Sequence, residues 1–307
     1  MSIVKGFMNR AKRVHYGIDT RKEFFLSYVD RIILSLIGKK TNLYHNTRLQ
    51  RLRDMFKVDE MYRIKDVKLP LLNENDENVL WRWVYEDTYW SYVNCNDRYD
   101  EETFDRCDRF LNEGLYGLVN DRVNVTVEPG DIVIDAGAWI GDFAAYASVR
   151  GASAVYAFEP AEQTFKILQK TAELNKNIIP VQKGLSNENT NAVLSINAGG
   201  NSGGNTLRIK GNETPESSET VETVRLDDFV RENNIQRVDF IKADIEGFER
   251  HMLAGAQETL ARFAPKLALC TYHLPDDPQV MAELILKANP KYNIVQKRCK
   301  LFASVPE

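Results

Sequence analysis

Apolar positions change their spacing partway along this chain. In residues 1–70, Phe24, Phe25, Tyr28, Ile32, Ile33 and Leu36 recur at roughly helical intervals, which predicts a helical N-terminal region. Leu69-Pro70-Leu71 and the polar stretch from Asn73 to Asn78 mark its boundary. From Val123 onward, short apolar runs alternate with amphipathic stretches, the pattern of a parallel sheet with helical crossovers. Strands are expected at Val123–Val127 and Asp131–Ala136 around the turn Pro129-Gly130, then at Ser153–Phe158 and Ile178–Gln182. Val221–Leu226, Val238–Ala243 and Leu267–Thr271 extend the series. Helices are expected at 160–174, 227–233, 247–263 and 278–288, while the Gly-, Ser- and Asn-rich segment 197–220 is expected to be a mobile insertion that allows a hairpin around Thr206–Ile209. Tyr292–Lys297 and Lys300–Val305 are separated only by Arg298-Cys299, so they are expected to pair as an antiparallel hairpin, which needs no crossover. The chain thus divides into an accessory region, 1–111, and an α/β domain, 112–307.

The densest chemistry lies between Asp131 and Glu159. An apolar run, Ile132–Ile134, ends on Asp135 and opens into a turn holding Gly137 and Gly141. A helix rich in alanine (Ala144, Ala145, Ala147) follows, and a second apolar run ends on Glu159. Ligands of open α/β sheets bind at such strand ends. A pyrophosphate would require the spacing G-x-G-x-x-G at a helix N-terminus. Here the spacing is Gly137-x-x-x-Gly141, flanked by Asp135 and Asp142, and two carboxylates would repel a pyrophosphate. A sulfonium zwitterion such as S-adenosyl-L-methionine suits the loop better. Gly137 would let the backbone approach its methionine portion, and Asp135 would face its ammonium. Glu159, twenty-four residues beyond Asp135, is placed to accept hydrogen bonds from a ribose diol.

These residues resemble the FkbM family of S-adenosylmethionine-dependent methyltransferases. The resemblance rests on Val133–Phe143, Phe158-Glu-Pro160 and Val238-Asp-Phe-Ile-Lys-Ala-Asp-Ile-Glu-Gly-Phe-Glu249, with Lys266–His273 agreeing with the next strand, and covers about residues 112–306. It implies a Rossmann-like class I methyltransferase sheet with an antiparallel C-terminal hairpin, and methyl transfer to a hydroxyl of a sugar, glycan or glycosylated metabolite. In such folds Leu185 and Ser186 would line the adenine.

A hydroxyl acceptor needs a base or an electropositive neighbour. His273, just past the fifth strand of the domain, is the candidate base, and Asp244 competes with it. Glu246 and Tyr272 are assigned to the acceptor. A magnesium-type site needs several oxygen ligands; Asp244 and Glu246 supply two and no third is apparent, so metal independence is expected. His251 reads as a helix-surface residue, and Asp276-Asp277 as the cap of the helix from Pro278.

Composition narrows the class further. The chain has 307 residues and a formal charge of −4, but residues 1–60 hold thirteen Lys/Arg against six Asp/Glu. A basic segment of this kind either presents a solvated helical face or meets an anionic glycan, a phosphate or a membrane surface. Nothing resembles a zinc finger or an RNA-binding signature, so nucleic acid is not expected as a partner. The longest N-terminal apolar run, Ile32–Ile37, is too short to span a bilayer, and without a charged-then-apolar leader pattern before it export is not expected. Four scattered cysteines without a C-x-x-C pair fit a reducing cytoplasm. Between Trp81 and Phe110, Trp81, Trp83, Tyr85, Tyr89, Trp90, Tyr92 and Tyr99 would either pack an accessory element or stack over a sugar. Two other classes stay open: a cofactor-binding scaffold without turnover, and a nucleotide-dependent oxidoreductase.

Overall fold

A computed structural model describes residues 57–58, 61–64, 67–70, 117–195, 206–208, 218–297 and 300–306. The aromatic-rich stretch 81–110, the basic segment up to residue 56 and most of the insertion at 197–220 lie outside these residues.

The first described elements correct an expectation. Three short segments in the region read as helical form a small antiparallel sheet of β1 (Lys57–Val58), β2 (Met61–Ile64) and β3 (Val67–Pro70). A two-stranded hairpin follows, β4 (Leu118–Val119) with β5 (Asn124–Val125), so the strand expected at Val123–Val127 is shorter than predicted. The central domain then runs β6 (Ile132–Ala136), α1 (Asp142–Val149), β7 (Ala154–Phe158), α2 (Glu162–Leu174) and β8 (Ile178–Val181). A second sheet is inserted next: β9 (Gly184–Leu185), β10 (Thr190–Ser195), β11 (Thr206–Arg208) and β12 (Ser218–Val224), in the order β11-β10-β12-β9. The main sheet resumes with α3 (Leu226–Glu232), β13 (Phe240–Ala243), α4 (Glu249–Ala254), α5 (Gln257–Phe263), β14 (Lys266–Cys270), α6 (Asp277–Ala288), β15 (Asn293–Lys297) and β16 (Lys300–Ser304).

The seven strands of the main sheet are ordered β15-β16-β14-β13-β6-β7-β8. The five from β8 to β14 are parallel, and β16 runs antiparallel to both β14 and β15. This is the methyltransferase-like α/β sheet expected, with its C-terminal hairpin. The reversed strand is β16, one place in from the edge, because β15 occupies the edge itself. β6 and β13 are covered on both faces, which is why they read as nearly unbroken apolar runs. Strand order reverses at β6, from which one crossover leads to β7 and a later one reaches β13, so the crevice beyond these three C-terminal ends is the site the topology offers.

The helix expected over 247–263 is broken in two at Gly255-Ala256. A Cβ on Gly255 would stand 2.1 Å from the Ser186 carbonyl oxygen, so the break admits the loop after β9. Gly255 also receives the Asp227 N–H on its own carbonyl at 3.0 Å. Gly255→Ala is therefore expected to destabilise the fold by about 3 kcal/mol, since backbone rather than a pliable side chain must move; a shifted urea midpoint would measure it, and an unchanged midpoint would contradict the close approach. Among the described residues no helix is long and apolar enough to cross a membrane.

Candidate active site

The loop between β6 and α1 is built on left-handed backbone: Gly137 (φ 75°), Trp139 (φ 50°) and Gly141 (φ 85°). Phe158 at the end of β7 accepts the N–H groups of Gly137 (3.0 Å) and Ala138 (2.8 Å), which pins the loop to the neighbouring strand. The glycines serve packing. A Cβ on Gly137 would lie 2.0 Å from the Asp244 carbonyl oxygen, and one on Gly141 would strike Leu168 and Thr171 of α2. The bare Cα of Gly137 admits the end of β13.

Glu159 is buried, and both its oxygens are engaged. Oε2 accepts the Trp139 N–H at 3.0 Å and Oε1 the Ala161 N–H at 2.9 Å. Each carboxylate oxygen has a second lone pair, so a diol can still be received. Burial pushes its pKa up to about 8 against the opposing pull of those two N–H groups. Asp135 is fully buried; loss of water raises its pKa, while Lys242 works against the rise. Asp142, opening α1, is raised to about 6, first by burial and then, after the opposing effect of Lys242, by Asp135.

Lys242 is the residue that the sequence did not single out. It lies directly opposite Asp135 in the register of β13 on β6, so both side chains leave the sheet on one face. Its Nζ stands 3.0 Å from Asp135 Oδ1 and donates to the Gly137 carbonyl at 2.7 Å. Burial opposes its charge, but Asp135, Asp244 and Asp142 together hold its pKa above the ordinary lysine value. Lys242 and the Ala144 backbone N–H both favour the charged form of the Asp135 carboxylate against its burial. Several acids gathered around one ammonium suit a cationic ligand group.

The second half of the site follows β13 and β14. A tight turn with Glu246 (φ 54°) and Gly247 (φ 98°) in the left-handed region curls the start of α4 back over the end of β13. Asp244 Oδ1 accepts the Tyr272 hydroxyl at 3.1 Å. His273 lies with Nε2 3.1 Å from Glu246 Oε2 and Nδ1 3.4 Å from Glu249 Oε1. Burial opposes its charge, but hydrogen bonds to Glu246 and Glu249 prevail and push its pKa up to about 10. A histidine so held favours its protonated form at neutral pH. Tyr272 is partly exposed, its ring 3.9 Å from that of His273.

Other assigned residues sit differently. Leu185 is buried in the core that also holds Phe158 and Val224. Ser186 is buried, its N–H bound to the Val224 carbonyl at 3.0 Å and its hydroxyl to Asn187 at 3.2 Å. Among the described residues no hydrogen bond joins either to Asp135, Asp142 or Glu159. Asp276 and Asp277 make no side-chain cap on α6. Instead Arg250 donates to both, at 2.7 and 2.6 Å, and Asp277 Oδ2 accepts the Leu274 N–H, fixing the loop that carries His273. Glu249 was missed as a site residue; only its place in the Asp-x-Glu-Gly-x-Glu run hinted at it.

A family model described as the methyltransferase FkbM domain matches residues 135–292, just over half of the chain. The chain belongs to the FkbM methyltransferase family. The matched span contains every acid of the crevice. Individual relatives are distant. The hexuronic acid methyltransferase AglP of Haloferax volcanii is 25% identical over 162 residues, covering 52% of this chain and 64% of that protein's length. The 31-O-demethyl-FK506 methyltransferase FkbM of Streptomyces tacrolimicus is 26% identical, covering 59% of this chain and 80% of its own. Methyltransferase 1 of Beauveria bassiana is 33% identical, covering 48% of this chain and 67% of its own.

Proposed function

We propose that this protein transfers a methyl group from S-adenosyl-L-methionine to a hydroxyl of a sugar, glycan or glycosylated metabolite. The observation that carries this is the charge pattern at the ends of β6, β7 and β13: Asp135, Asp142, Glu159 and Asp244 gathered around one buried ammonium, Lys242. A dinucleotide phosphate would meet net repulsion there, whereas a sulfonium nucleoside bearing an ammonium is favoured. The cofactor, when bound, supplies an electrophilic methyl group. Glu159 would accept the ribose hydroxyls, and Asp135 and Asp142 would face the ammonium. Asp244 would orient the acceptor hydroxyl and take its proton, with alignment providing much of the rate. Glu246 and the exposed ring of Tyr272 would receive the acceptor, whose many hydroxyls match a carboxylate-lined mouth. The relatives named for a hexuronic acid and for a 31-O-demethyl acceptor support an oxygen nucleophile.

Calorimetry on the full chain should detect S-adenosylhomocysteine binding one to one and give no heat with NAD; the reverse would overturn the assignment. Labelled methyl transfer to neutral and uronic-acid oligosaccharides should then give an alkali-stable ether. An alkali-labile product would mean that a carboxylate, not a hydroxyl, is the acceptor.

A further inference from the structure

Donor atoms on the acceptor side of the crevice converge more closely than substrate binding requires. One carboxylate oxygen each from Asp244 and Glu249 and one ring nitrogen of His273 lie within 4.8 Å of one another. The expectation of metal independence rested on finding no third ligand beside Asp244 and Glu246; the fold supplies Glu249 and His273 in its place. Glu249 is fully buried and held rigidly, Oε1 accepting the Ile245 N–H at 2.8 Å and Oε2 the Gly247 N–H at 3.0 Å.

His273 provides a second, independent observation. Its side chain is nine-tenths buried, with Nε2 3.1 Å from Glu246 Oε2 and Nδ1 3.4 Å from Glu249 Oε1, so both ring nitrogens face carboxylates of the cluster. A histidine oriented at one nitrogen by an outer carboxylate, with the other aimed at an inner one, can exchange its proton for a divalent cation bound between them.

We propose that Asp244, Glu249 and His273 bind a divalent cation, with Glu246 as the residue that positions His273. Mixed imidazole and carboxylate donors suit Mn²⁺ or Zn²⁺ better than Ca²⁺. Three protein ligands leave coordination positions open, where a hydroxyl of the acceptor can bind and become more acidic, its proton passing to the Asp244 carboxylate. That role for the ion rests on the O-methyltransferase function proposed above; the binding of the ion does not.

The test uses the full chain, free of any affinity tag and stripped with EDTA, titrated with Mn²⁺ while the electron paramagnetic resonance signal of the free ion is followed. About one ion per chain should bind and be displaced by Zn²⁺. Glu246→Gln should weaken binding by about tenfold, and Asp244→Asn and His273→Gln by more. Retained S-adenosylhomocysteine binding in at least one of these variants separates loss of the ion from loss of fold. No Mn²⁺ or Zn²⁺ uptake by the unmodified chain, or uptake unchanged in all three variants, overturns the site. Mn²⁺ uptake with no S-adenosylhomocysteine binding would instead retain the site and overturn the methyltransferase assignment.

Discussion

Replacing Lys242 by methionine is expected to destabilise the protein by about 3–5 kcal/mol at pH 8, and by distinctly less at pH 5.5. Methionine keeps most of the packing volume but removes the one ammonium among Asp135, Asp142 and Asp244. Breaking a buried pair from one side leaves an uncompensated charge, the expensive case. The pH dependence follows from the direction of the carboxylate shifts. Asp135 is already raised by burial even with Lys242 in place, and without it the rise must be greater. A carboxyl whose folded-state pKa exceeds its unfolded value binds more protons when folded. Its contribution is complete below the unfolded value, near 3.8, and is lost as pH climbs through the folded value. Acid therefore restores the variant by neutralising the orphaned carboxylate, while in the unmodified protein Lys242 stays charged across this window. Urea unfolding at the two pH values measures the difference. An equal loss at both would mean that Lys242 contributes packing alone.

Glu159→Ala should weaken S-adenosylhomocysteine binding by about a hundredfold, the loss expected when two hydrogen bonds to a charged acceptor disappear. The unmodified protein should also bind more tightly as pH rises from 6 to 9. In the empty crevice Glu159 is held near pKa 8, so below that value it is protonated and must shed its proton to serve as a full acceptor of the diol. Calorimetry in two buffers of different ionisation enthalpy should show proton release on binding at pH 7, vanishing in Glu159→Ala. The same substitution also frees the Trp139 and Ala161 N–H groups, so part of the loss should appear as a looser glycine loop. A variant that binds normally with the same pH profile would remove Glu159 from cofactor recognition.

Much of the sheet is legible before any coordinates. Buried parallel strands advertise themselves as apolar runs, and the acids Asp135 and Glu159 stand out because they end such runs. The two-residue link at Arg298-Cys299 permits only a hairpin. What escapes is whatever depends on register or on backbone sign. Lys242 within an apolar strand reads as an isolated charge until pairing with β6 sets it opposite Asp135. Glu249 reads as an ordinary first-turn acid of a helix. The positive φ angles of Glu246 and Gly247 bend it under Ile245, and no spacing rule reports that bend. The small sheet at 57–70 is hidden for another reason: strands of two to four residues are shorter than the window over which periodicity can be recognised. Gly137 has a second role the sequence does not report: its bare Cα admits the Asp244 carbonyl.

Strand β3 has a practical consequence for anyone dissecting this molecule. It rests against α1 and α2, with Leu69 sealed from water and the Lys68 carbonyl receiving the amide of Asn175. A fragment cut at residue 112 to isolate the catalytic half would strip away that cover, baring greasy flanks of both helices and inviting self-association. Dissection should begin upstream of Lys57, where the ribbon that shields them starts.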